Sequence, residues 1–149
     1  MSDEKERIYG KNLVCVCVDS YENKDIKGVI WTPYEEEAIS FTNFYEMVLI
    51  MDKLYDNWDF PQRTTSYRTF GKKNRLDDYH NPNSIRKREP IRDVKSFKGK
   101  IATFLIQVKF RQYTSWQGQV LWNEGKKKIH FRSVLELLKL IDSVISMTE

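Results

Sequence analysis

Two stretches of this chain, ninety residues apart, read alike. When Ile26-Lys27-Gly28 is set on Trp116-Gln117-Gly118, Ile39 falls on Ile129, Phe41 on Phe131, Glu46 on Glu136 and Asp52 on Asp142, with no gap. A repeat at fixed spacing marks one supersecondary unit used twice. The sequence therefore predicts a tandem duplication, with copy one over 12–56, copy two over 101–146 and an unrelated basic segment over 57–100. All three parts are expected in one compact domain, because 149 residues suffice to bury a real core.

The second copy shows what the unit is. Phe104 to Arg111 alternates apolar and polar residues after its first pair, and Trp116 to Trp122 alternates again, the period of half-buried strands. Asn123-Glu124-Gly125-Lys126 carries turn residues, and Lys128 to Phe131 reads as a third short strand. Then the spacing lengthens. Val134, Leu137, Leu138, Ile141 and Val144 recur every three or four residues, which is an amphipathic helix. Ser133 and Glu136 make a capping box at its start, and Asn43 with Glu46 stands at the same place in copy one. Caps explain the shared glutamates better than a catalytic carboxylate pair does. Asp52 and Asp142 sit late in their helices, where the macrodipole disfavours an acid, so a polar contact between the copies is expected of them. The predicted fold class is α+β: two βββα units about a pseudo-twofold axis, with six strands in one sheet or two.

A three-stranded sheet with a helix on one face leaves its other face to be explained. In copy two the alternation assigns Leu105, Gln107, Lys109, Arg111, Gln117, Gln119, Lys128, His130 and Arg132 to that face, a polar and basic set. In copy one the matching set includes Cys15, Cys17, Asp19, Tyr21, Lys27, Val29 and Trp31, apolar near its centre. An exposed patch of that kind is unusual on a monomer. Copy one is therefore expected to be covered on both faces, by the middle segment, the other copy or a partner. Trp31 is the better contact candidate among the tryptophans, since Trp116 and Trp122 share the core face of copy two.

Net charge is +4, but its distribution is uneven. Residues 1–56 carry 6 basic and 12 acidic side chains, residues 57–100 carry 12 and 5, and residues 101–149 carry 7 and 4. Such asymmetry fits nucleic acid, self-association or plain solubility. In the middle segment Thr64 to Phe70 suggests a short strand and Gly71 to Ser84 a loop. The Arg86-Lys87-Arg88 run behind them reads as a solvated surface, a phosphate-contacting arm or a protein-binding strap.

Several chemistries find no support. Cys15-x-Cys17 lacks a second pair of ligands, and His80 and His130 stand in different contexts, so neither a metal nor a cofactor is expected. The two cysteines read as buried strand thiols, too close in sequence for an ordinary disulfide, which suits a reducing, cytoplasmic setting. No Gly-rich phosphate loop, nucleophile elbow or His-Glu-x-x-His motif occurs, and a non-enzymatic role is expected. The stretch from Leu13 to Val18 is too short to span a bilayer, and the charged start leads into no apolar signal core, so neither membrane insertion nor export is expected.

Two resemblances follow from these residues. The pattern Trp116-Gln117-Gly118 with Phe131-Arg132-Ser133-Val134-Leu135-Glu136-Leu137-Leu138 resembles that of small uncharacterised proteins common in gut clostridia. That resemblance implies a stand-alone bacterial cytoplasmic protein. The order of elements is also similar to AP2-type and integrase arm-binding modules, which lay the open face of a three-stranded sheet in the DNA major groove. In those terms Gln107, Lys109, Arg111, Gln117, Gln119 and His130 would read bases; Arg132 and the Arg86-Lys87-Arg88 run are further nucleic-acid candidates of the sequence. Copy one departs from this pattern, with Asp19, Val29 and Trp31 where basic residues would be needed.

The leading expectation is accordingly a protein-binding or self-associating module. Its candidate contacts are Trp31, Val29 and Tyr21, together with the oppositely charged turns Glu35-Glu36-Glu37 and Lys126-Lys127-Lys128. Nucleic-acid binding through the copy-two sheet and the 86–100 arm is the alternative.

Overall fold

The computed structural model describes residues 7–61, 70, 88–112 and 115–148. Its elements are β1 (Val14–Glu22), β2 (Asp25–Trp31), β3 (Ile39–Phe41), α1 (Phe44–Trp58), β4 (Ala102–Gln112), β5 (Ser115–Trp122), β6 (Lys127–Phe131) and α2 (Val134–Thr148). A short 3-10 turn at Val94–Ser96 precedes β4. The strand expected over 64–70 and the loop expected over 71–84 lie outside the described residues, Phe70 apart. The six strands form one antiparallel sheet in the order β3-β2-β1-β4-β5-β6, which answers whether there is one sheet or two.

β1 and β4 meet at the centre, paired from Val14 with Ile106 to Val18 with Ala102. On either side the same irregularity recurs. The β1–β2 register slips between Val18 and Ser20, and the β4–β5 register between Val108 and Phe110. Beside each slip stands a glycine that opposes an edge-strand phenylalanine, Gly28 against Phe41 and Gly118 against Phe131. A Cβ on Gly28 would lie 1.8 Å from the Cys17 carbonyl oxygen, and one on Gly118 would lie 1.9 Å from that of Gln107. The neighbouring backbone comes too close for any side chain, which is what glycine inside a strand commonly signals.

Both helices lie on one face of the sheet. The central strands bury Val14, Val16, Val18, Phe104, Ile106 and Val108 beneath Met47, Met51 and Tyr55 of α1 and Leu137, Ile141 and Ile145 of α2. Each helix starts as the capping pattern predicts. The Glu46 N–H donates to Asn43 Oδ1 at 2.7 Å, and the Glu136 N–H donates to Ser133 Oγ at 3.0 Å. The two carboxylates reach back to accept from the N–H groups of Thr42 (2.9 Å) and Arg132 (3.1 Å). α1 stops at Asp59, in the left-handed region at φ 54°, whose N–H turns back to the carbonyls of Asp56 and Tyr55.

The opposite face carries a second, smaller core of Ile8, Leu13, Cys15, Cys17, Val94, Leu105 and Leu121, with Val29, Trp31 and Phe97 around it. Two pieces of the chain itself supply its cover. Residues 88–99 lie over the first half, and residues 7–13 lie against the second. There Asn12 donates to the Val108 carbonyl at 2.6 Å, and Lys128 donates to that of Arg7 at 2.8 Å.

Candidate interaction surfaces

The apolar outer face of the first half is filled from within. Trp31 stacks flat on Phe97, with centroids 4.0 Å apart and planes 4° from parallel, and the Arg92 guanidinium lies 5.4 Å from the Trp31 ring centre. That guanidinium donates to the carbonyls of Thr32 (3.1 Å), Glu35 and Glu36 (2.7 Å). Arg88 donates to the Tyr34 carbonyl at 3.1 Å and sits over the Tyr34 ring. The middle segment is therefore the cover, and its Arg88 and Arg92 are engaged with the β2–β3 connection. Arg86 and Lys87 lie outside the described residues. Trp31 and Val29, half-buried in this layer, need no outside partner to account for them.

Beneath the cover, Cys15 and Cys17 are buried and unlinked, their sulfurs 3.8 Å apart. The contact with Cys17, reinforced by burial, pushes the Cys15 thiol far above its usual range. Its sulfur also lies 3.8 Å from the Phe97 carbonyl oxygen, inside the smaller core.

Two expected outer-face residues are on the other side. Strict alternation places Tyr21 and Arg111 outward, but each follows the register slip in its strand, where the extra residue reverses the facing of what comes after. Arg111 is buried, 2% exposed, and its Nη1 lies 3.0 Å from Asp52 and 2.9 Å from Asp56 on α1. Its Nε donates to the Pro61 carbonyl at 2.8 Å, and its guanidinium stands over the Tyr55 ring. A guanidinium held this way is not available to DNA. Tyr21 turns to the helix layer as well and donates to Asp142 at 3.2 Å. These contacts give the two late-helix acids the role expected of them: each joins its helix to the central strand of the other half.

On the second half, the outer face keeps Lys109, Gln117 and His130 exposed, and Phe110 joins them at 62% exposure. Gln119 is half-buried and shares a 3.1 Å hydrogen bond with His130. Gln107 is half-buried beside Gly10, and Arg132 is exposed and pairs with Glu136 at 3.4 Å. The basic face is therefore smaller than alternation implied, and Phe110 is the residue on it that alternation missed.

The charged turns are placed by the topology. Glu35-Glu36-Glu37 precede β3 and Lys126-Lys127-Lys128 open β6, so they sit at opposite edges of the sheet. β3 runs parallel to β1 and β6 parallel to β4, and β1 opposes β4; the turns also lie at opposite ends of the strands. Copies extended edge to edge by simple repetition would not bring these charges together. Glu35 has a task inside the fold, since its carboxylate accepts from the Trp58 indole N–H at 3.4 Å. Among the described residues no group of three His, Cys, Asp or Glu side chains could hold a metal ion, and no helix is long and apolar enough to cross a membrane. Set against protein-family models, curated proteins and solved structures, the chain finds no match.

Proposed function

We propose that this chain is a non-catalytic, cytoplasmic protein-binding module, built from two copies of one βββα unit, which takes an acidic extended segment of a partner along the β6 edge. The duplication is supported by helices, register slips and glycine–phenylalanine pairs that all recur ninety residues apart, about the antiparallel β1–β4 pair. The binding reading rests on one observation. The sheet ends at β6, an edge strand of five residues that begins with Lys127 and Lys128 and follows directly on Lys126.

An edge strand offers unpaired N–H and C=O groups to an added strand, and lysines on it discourage pairing with a second copy of itself. The same lysines favour a partner of opposite charge, and strand addition is a common route to peptide recognition. Arg111 and Arg88, two of the arginines that would serve a nucleic-acid contact, are engaged inside the fold, which favours the protein partner. The test is a binding titration with an eight-residue peptide alternating glutamate and valine, beside the same peptide N-methylated at every second amide. Binding of the first alone, lost in a Lys126→Glu/Lys127→Glu variant, is the expected result; equal binding of both peptides, or of neither, would overturn the reading.

Exposed Phe110 beside Lys109 favours a second reading, in which a nucleobase stacks on the ring. Co-sedimentation with random duplex and single-stranded DNA at low and moderate salt decides it. Salt-steep retention, removed by Lys109→Glu/Phe110→Ala, would displace the peptide reading.

A further inference from the structure

Between α2 and strands β4–β6 lies a cavity of about 180 Å³, walled mainly by apolar side chains that include Val120, Ile129 and Met147. Trp122, Lys127 and Ser143 line it as well. Trp122 and Lys127 are directly opposed in the β5–β6 register, so their side chains share one face of the sheet. The Trp122 Nε1 atom is buried and has no hydrogen-bond partner among the described residues. A buried donor left without an acceptor is costly, and it calls for an explanation.

The first half shows what is missing. There Trp58, from the helix, T-stacks on Tyr34 with centroids 5.2 Å apart, and its indole N–H finds the Glu35 carboxylate. Ninety residues on, Trp58 becomes Thr148 and Glu35 becomes Gly125, while the indole comes from the strand as Trp122. Gly125 has no carboxylate to offer. The adjacent Glu124 carboxylate accepts from the Thr103 N–H at 2.7 Å. The second half thus has an indole without its acid, beside a space, with a lysine opposite.

We infer that this cavity is a binding site for a small aromatic monocarboxylate, whose ring lies among Val120, Ile129 and Met147 beside the Trp122 ring and whose carboxylate meets Lys127 at the edge of the space. An apolar cavity of roughly 150 Å³ holds a benzene ring, so the volume suits one ring on a short acid chain. The site shares Lys127 with strand addition at β6 but requires neither a peptide nor the strand's free backbone groups.

The test follows the Trp122 indole N–H resonance of ¹⁵N-labelled protein during titration with 3-phenylpropionate and, separately, with the neutral 3-phenylpropan-1-ol. The resonance is identified by its loss in Trp122→Phe. A saturable shift with the acid, at least tenfold weaker binding of the alcohol, and no binding of the acid to Ser143→Phe are the expected results. Lys127→Gln, a change at an exposed residue, keeps the test valid if the filled cavity impairs folding; it should weaken the acid several-fold and leave the alcohol unchanged. No saturable shift, equal binding of acid and alcohol, or unchanged acid binding in Lys127→Gln would overturn the site.

Discussion

The two halves of this molecule share element order, register slips and glycine–phenylalanine pairs, and differ in the chemistry at matching places. Position 111 is an arginine buried between two carboxylates of α1, whereas position 21 is a half-buried tyrosine whose hydroxyl donates to Asp142 of α2. The end of α1 is sealed by Tyr34 and Trp58, while the matching seam of α2 keeps a cavity. The outer face of the first half is closed by the aromatic and arginine contacts of residues 88–99, and that of the second remains partly open. The difference teaches where the fold is fixed. Strand register and close backbone approach repeat; side chains at the seams and outer faces do not.

The largest expected asymmetry is at the helix-to-strand contacts. Arg111→Met withdraws a buried cation from Asp52 and Asp56, and loss of one partner from a buried ion pair costs about 3–5 kcal/mol. Tyr21→Phe removes one exposed hydrogen bond to Asp142, a loss of about 0.5–1.5 kcal/mol. Urea unfolding of both variants measures the gap. Equal losses would mean that the arginine adds nothing beyond what its tyrosine counterpart supplies.

The glycines should behave in the opposite way, as equals. Gly28→Ala and Gly118→Ala each drive a methyl into a carbonyl oxygen of the adjacent strand. Backbone on both sides leaves little room to yield, so each change is expected to cost about 3 kcal/mol, the upper end for overpacking. Clearly unequal midpoints in the same urea experiment would show that the two register slips are not equivalent.

Much of this architecture was legible in the chain. Helix period and caps located α1 and α2, because both signals are local and Asn43, Glu46, Ser133 and Glu136 act within one turn. The apolar set Cys15, Cys17, Val29 and Trp31 announced a covered face, and the middle segment was among the covers it allowed. Phe97 as the stacking partner was not legible, being one aromatic among lysines with no period to mark it. Nor was the single sheet, since β1 and β4 pair across more than eighty residues. Facing failed at Tyr21 and Arg111 because the register slips around Asp19 and Lys109 leave no local signature in composition. Among the described candidate contacts, Glu36, Glu37, Lys109, Gln117, Lys126, Lys127, His130 and Arg132 keep an exposed side chain. The cavity could not be read from sequence at all, because it depends on how α2 packs over β4–β6 and leaves no local signature in the chain.

Smaller effects sharpen the comparison at the helix starts. Asn43→Ala and Ser133→Ala each remove the side-chain acceptor for an N3 amide, at a cost of about 1 kcal/mol. Helix content followed by circular dichroism during thermal unfolding should fall by similar midpoint shifts for the two. A negligible shift in one half would mean that its carboxylate, reaching back to residue 42 or 132, caps the helix unaided.

The smallest expected effect carries the opposite sign. Tyr55 is fully buried in the first half, and its hydroxyl has no hydrogen-bond partner among the described residues; Ile145 occupies the matching place in the second. Tyr55→Phe should therefore be neutral or stabilising by up to about 1 kcal/mol, because it removes a buried polar group rather than a contact. Tyr34→Phe, which loses a 2.7 Å hydrogen bond to the Lys11 carbonyl, should cost about 1 kcal/mol and serves as the contrast. Burial also holds the Tyr55 phenol well above its ordinary value, against the pull of Arg111. Below about pH 10 the phenol is neutral in both folded and unfolded chains. Above it, the unfolded chain releases the proton that the folded protein retains, so stability falls as pH rises. The fall of stability above pH ~10 should be shallower in Tyr55→Phe than in the parent. An unchanged slope, or destabilisation as large as that of Tyr34→Phe, would mean that the Tyr55 hydroxyl is satisfied and that its counterpart Ile145 is not its functional equal.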